Sequence, residues 1–149
     1  MTREQKAREY FLEGYNCAQA VLLAFGDLTE LDNETLAKLA SPFGGGMGRM
    51  REVCGAVSGM LMAKGLVGGY SDPKAQGEKK ELYADVQALA ARFREQCGSI
   101  ICRELLEGKA DSGPTPTERT AEFYKKRPCA ELVALAAKIL GEELENGKC

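Results

Sequence analysis

Apolar residues recur along this chain at steps of three and four, and no stretch alternates for long between apolar and polar side chains. The pattern predicts helices and no sheet. A first helix is expected over about Thr2 to Leu12, stopping near Gly14. Asn16 is the expected cap of a second, Cys17 to about Phe25, and Asn33 of a third running through Ala40. The next segment, "FGGGMGRM", is too rich in glycine for regular structure and reads as a flexible flap. A helix from about Met50 to Leu66 should follow, ended by "VGGYSDP". A long amphipathic helix is expected from about Lys74 to Cys97, with Leu82, Val86, Leu89, Phe93 and Cys97 on one stripe. Ser99 would then cap a short helix containing "IICRELL". A polar loop, "EGKADSGPTPT", leads to two last helices over about Glu118 to Lys125 and Cys129 to Glu145. The expected architecture is all-α: one domain over residues 1–149, a bundle of about six to eight helices with a glycine-rich loop before the helix that contains "CGAVSG".

That helix carries two glycines, Gly55 and Gly59, each costing about 1 kcal/mol relative to alanine in a helix interior. With Ala63 they form a small-residue stripe at four-residue steps, which would let another segment approach closely. Alternatively, the glycines leave open space around the sulfur of Cys54. Met47, Met50, Met60 and Met62, near the same helix, read as adaptable packing. The glycine-rich segment lacks the Gly-Lys-Ser/Thr ending of a phosphate loop and follows no expected strand.

A chain of 149 residues can bury a core without staples. Its 20 basic and 22 acidic residues are mixed, so neither a nucleic-acid face nor a polybasic lipid-binding segment is expected. The amino terminus is charged from the start, and the longest uncharged apolar run, Val53 to Ala63, is too short to cross a bilayer of about 30 Å. A cytoplasmic location is the expectation. Thiols there stay reduced, so six cysteines suggest metal binding or transient redox chemistry before a structural disulfide framework. The chain contains no histidine, which removes the commonest general base and every histidine metal ligand.

The cysteines sort by position. The positive end of a helix lowers a thiol pKa, and the thiolate is the reactive form. Cys17, Cys54, Cys102 and Cys129 all fall at expected helix starts. Cys97 ends the apolar stripe of the long helix as a core filler, and Cys149 closes a polar tail as a loose thiol. Any one cysteine alone is more often a small core residue than a reactive one. Four at helix starts point to a shared site.

The order of "GYNCAQAV", "EVCGAVSG", "GSIICREL" and "RPCAELV" resembles the C-GCAxxG-C-C family, small cytoplasmic chains with four characteristic cysteines. Cys54, Gly55, Ala56 and Gly59 match its motif, Cys17 its first cysteine, and Cys102 and Cys129 its last two, with Cys97 competing for the third position. The resemblance implies redox activity, itself inferred in that family from the cysteines. Thiol-disulfide exchange or electron transfer is the function expected, with Cys54 attacking, Cys17, Cys102 or Cys129 resolving, and Gly55, Ala56 and Gly59 shaping the site. The partner would be a redox protein or a small oxidant, and a homo-oligomer is compatible with the sequence. Two other readings stand beside it. The four cysteines would together hold a [2Fe–2S] cluster or Zn²⁺ in a metal carrier, or they would simply fill the core of a non-catalytic helical adaptor.

Overall fold

The computed structural model describes residues 1–108 and 111–146 and is an all-α bundle. Helix α1 spans Arg3–Leu12, and α2 spans Cys17–Ala24. Both begin with a capping box: Thr2 with Gln5, and Asn16 with Gln19. Helix α2 is apolar apart from Gln19, and Ala18 and the residues from Ala20 to Ala24 are all buried. A helix apolar nearly all round belongs at the centre. Accordingly α1, α3 (Asn33–Ala40), α5 (Gly55–Gly68) and α9 (Cys129–Asn146) pack around it. The cap of α3 is Asp32, not Asn33. The Asp32 carboxylate accepts from Thr35 N–H, so the helix starts one residue earlier than expected.

The glycine-rich segment is not a flap. Between α3 and α5, a single distorted turn, α4 (Gly44–Met47), begins a run of five residues with positive φ. Gly45, Gly46, Met47, Gly48 and Arg49 lie between 60° and 70°. The run is left-handed, and backbone bonds from Arg49 N–H to Gly44 O and from Glu52 N–H to Gly46 O stitch it shut. Glycine tolerates this basin, whereas Met47 and Arg49 each sit there at a cost of about 1–2 kcal/mol. Arg51 also has positive φ, and Val53 pairs as an isolated antiparallel bridge with Ile101. That chain path keeps Met50 to Val53 out of the helix, so α5 starts at Gly55 instead of Met50.

Helix α6 (Gln76–Cys97) lies at the edge, burying only Leu89 and Phe93 of its expected stripe and leaving Leu82, Val86 and Cys97 half-buried. Gly98 ends it with φ of 91°. Lys64 on α5 is buried and ion-paired to Asp85 on α6 at 3.2 Å and to Glu143 on α9 at 2.8 Å, tying the three helices together. Ser99 does not cap the short helix α7 (Cys102–Leu105), whose cap position is Ile101. Its hydroxyl instead accepts from Ile101 N–H and donates to Glu104. Helix α8 (Ala121–Lys126) starts at the cap Thr120. No helix among the described residues is long and apolar enough to cross a membrane.

Candidate functional site

Four helix starts meet at one cavity of about 370 Å³, whose wall includes Cys17, Cys54, Cys102 and Cys129. Cys17, Cys102 and Cys129 are the first residues of α2, α7 and α9, and Cys54 is the cap residue of α5. Cys102 lines this cavity and Cys97 does not. Cys149 lies outside the described residues.

Close backbone contacts bring these starts together. A Cβ on Gly59 would lie 2.5 Å from Ala18 O, and one on Gly55 would lie 3.0 Å from Phe43 O and 3.1 Å from the Cys17 Cβ. Thus the two glycines of α5 let α2 cross against it, with Cys17 next to Cys54. The Val53–Ile101 bridge does the same for the other two segments: Cys54 N–H donates to Ile100 O at 2.8 Å and Cys102 N–H to Glu52 O at 2.6 Å. Gly46 completes the wall, since a Cβ there would meet the Cys102 Cβ at 2.7 Å. Ala56 is wholly buried behind Cys54.

Shared position does not give shared protonation. Burial pushes the Cys54 thiol up to about 12, although the N–H groups of Ala56 and Val57 pull the other way. Burial also raises Cys102, against the Arg51 guanidinium, whose Nη1 donates to the Cys102 sulfur at 3.7 Å. Cys97, which does not line the cavity, is raised by burial alone. Cys129 is brought down to about 7, first by the neighbouring Cys17 thiol, which turns its proton toward it. Arg127, Arg119 and Arg51 add to this against the effect of burial. Cys17 is raised in return, chiefly by giving its proton toward Cys129 and then by burial. Of the four thiols around the cavity, Cys129 is thus the one most readily ionised near neutral pH, beside Cys17, which is held protonated.

The arginines are the residues that sequence reasoning missed. Arg119 donates to the carbonyls of Phe11 and Tyr15 at 2.9 and 2.8 Å and lies 4.1 Å from the Phe11 ring centroid. Arg51 is buried and donates through Nε to Asp111 O at 2.8 Å. Arg49 binds the Asp111 carboxylate at 2.8 Å and Thr117 Oγ1 at 2.9 Å. Together Arg49 and Arg51 hold the proline-containing loop, whose Pro114 and Pro116 form part of the cavity wall. One signal for them was present: a chain without histidine that uses thiolates needs another cation nearby, and Arg127 stands two residues before Cys129.

Among the described residues, no group of three Cys, Asp or Glu side chains could hold a metal ion. As they stand, the described residues offer no ligand group for a [2Fe–2S] cluster or Zn²⁺.

The fold and the cavity define a class: an all-α protein with four cysteines at converging helix starts. Residues 15–143 match the family model described as "Putative redox-active protein (C_GCAxxG_C_C)", and the chain belongs to that family. It is also similar to an uncharacterized protein of Archaeoglobus fulgidus, 24% identical over 97% of this chain and 95% of that one. No solved structure matches.

Proposed function

We propose that the protein is a thiol-disulfide oxidoreductase in which Cys129 attacks and Cys17 resolves. The observation that carries this is that Cys17 and Cys129 line one arginine-lined cavity side by side, with Cys129 brought down to about 7 and Cys17 raised. The attacking role thus moves from Cys54 to Cys129, because a thiol held near pKa 12 is almost wholly protonated at neutral pH.

In the forward direction, the Cys129 thiolate attacks one sulfur of a partner disulfide. A mixed disulfide forms and the partner's other sulfur leaves as a thiolate. This removes the negative charge that held the proton on Cys17. Cys17 then gives that proton to the departing thiolate and attacks the Cys129 sulfur. A Cys17–Cys129 disulfide closes, and the second partner sulfur leaves and takes a proton from solvent. The protein loses two electrons and the partner gains two. The resolving thiol is thus activated only after the first step. In a reducing compartment such as the cytoplasm, the protein would rest as the dithiol.

The test is a brief oxidation of reduced protein with one equivalent of diamide, followed by intact mass and peptide mapping. A loss of about two mass units with a Cys17–Cys129 cross-link is expected. A cross-link confined to other cysteines, or none, would overturn the assignment.

A further inference from the structure

Among the described residues the cavity wall includes Arg49, Arg51, Arg119 and Arg127 and no aspartate or glutamate, though Arg127 also faces a neighbouring pocket lined by Glu107, Glu118 and Glu122. This is an uneven placement in a chain of formal net charge −2. Arg49 is paired with Asp111, which stands outside the wall. Among the described residues, no carboxylate is ion-paired with Arg51, Arg119 or Arg127. The hydrogen bonds of Arg51 and Arg119 go to carbonyls, to a tyrosine hydroxyl and to the Cys102 sulfur, and Arg127 lies 4.6 Å from the Phe123 ring centroid, so these contacts orient the guanidiniums without neutralising them. A Cys129 thiolate offsets part of this charge, and the wall stays net positive in a partly desolvated space, where attraction to an anion is strong.

The rest of the wall limits what that anion is. Phe11, Phe123, Leu132 and the two prolines give it an apolar side. Its volume of about 370 Å³ suits a small organic molecule, for which pockets of about 300–1,000 Å³ are usual. We propose that the cavity selects small organic disulfides bearing two carboxylates, with Arg51, Arg119 and Arg127 as the selecting residues. This rests on the dithiol reading above and names its substrate class. The same cations would meet the negative charge that develops on the departing thiolate, so selection and acceleration share one cause. The step balances as written above: one substrate disulfide becomes two thiols while the Cys17–Cys129 bond forms.

The experiment uses the fully reduced protein and three probes: dithiodiglycolate with two carboxylates, neutral 2-hydroxyethyl disulfide, and cystamine with two ammonium groups. Each rate of protein oxidation is divided by that probe's rate with free dithiothreitol, which removes its intrinsic reactivity. The expected order is anionic, neutral, cationic, with about tenfold or more between first and last. In Arg127→Gln, the advantage of the dicarboxylate over the neutral probe should shrink several-fold, a ratio insensitive to any change in Cys129 itself. Normalised wild-type rates within about twofold of one another, or a cationic preference, would overturn the selection while leaving the dithiol chemistry standing. Failure of all three probes, with no Cys17–Cys129 bond on diamide treatment, would overturn both.

Discussion

Cys54 and Cys129 each stand at the start of a long helix, on the wall of one cavity, and only one of them ionises to a sizeable extent at neutral pH. Cys54 lies on the packed side, where Gly55 and Gly59 bring α2 against α5 and apolar neighbours exclude solvent. Cys129 lies on the cationic side, where Arg119 and Arg127 line the cavity and, among the described residues, are in no ion pair. A helix N-terminus contributes about 0.3–1 kcal/mol to a charge, less than burial or a set of guanidiniums can. The comparison teaches that helix position recruits cysteines to a site, while their surroundings decide which one reacts.

The sharpest way to break this contrast is a short iodoacetamide pulse at pH 7 with mass mapping. About half of Cys129 and about one part in 10⁵ of Cys54 would be thiolate, and the greater nucleophilicity of the more basic thiolate returns only about two to two and a half decades. Cys129 should react at least about 100-fold faster. Equal labelling would end the distinction.

On the packed side, Gly59→Ala forces a methyl against Ala18 O and should lower stability by about 1–3 kcal/mol in urea unfolding. An unchanged midpoint would mean that the α2–α5 approach is looser than the structure has it. On the cationic side, Arg119→Gln should raise the pH midpoint of Cys129 alkylation above about 7 and slow labelling at pH 7 by up to about tenfold.

The same contrast has a signature in stability. Cys129 has a lowered folded-state pKa, so its contribution is present above about 9 and is lost as pH falls toward about 7. Cys54 has a raised one, so its contribution is present below about 9 and is lost as pH rises toward about 12. Relative to Cys129→Ser, the reduced wild-type protein should therefore gain stability between pH 7 and 9. Relative to Cys54→Ala, it should lose stability above pH 9. The smallest effect is expected from Gly65→Ala on the face of α5 that touches nothing, where an added methyl should stabilise by about 0.4–1 kcal/mol. A loss there would show that α5 needs glycine beyond the two positions facing α2.

The parts of this molecule carried by local rules were legible in its sequence. Asn16 with Gln19 announced α2, and four cysteines at helix starts announced a shared cavity, because caps and periodicity act within a few residues. The start of α5 was not legible, because the left-handed run and the Val53–Ile101 pairing depend on a partner about 48 residues away. Asp32 and Asn33 are both competent caps side by side, and only the backbone geometry chooses between them. Nor did composition reveal the arginines: equal mixing over the chain concealed their collection at one wall, and Arg119 reaches Phe11 and Tyr15 across more than 100 residues of sequence.

The run from Gly45 to Arg49 makes chirality itself a design variable here. Gly48, at φ 60° and ψ 36°, has the mirror image of ordinary right-handed helical geometry, and a side chain there would meet nothing closer than Pro42 O at 3.7 Å. What this position refuses is handedness rather than bulk. An L-alanine would be strained, whereas a D-alanine placed by chemical synthesis would sit in its own preferred basin and stiffen the unfolded chain against the alternatives glycine allows. The wall beside the sulfurs is thus a place where an enantiomeric residue would suit the fold better than any of the nineteen chiral ones the genetic code supplies.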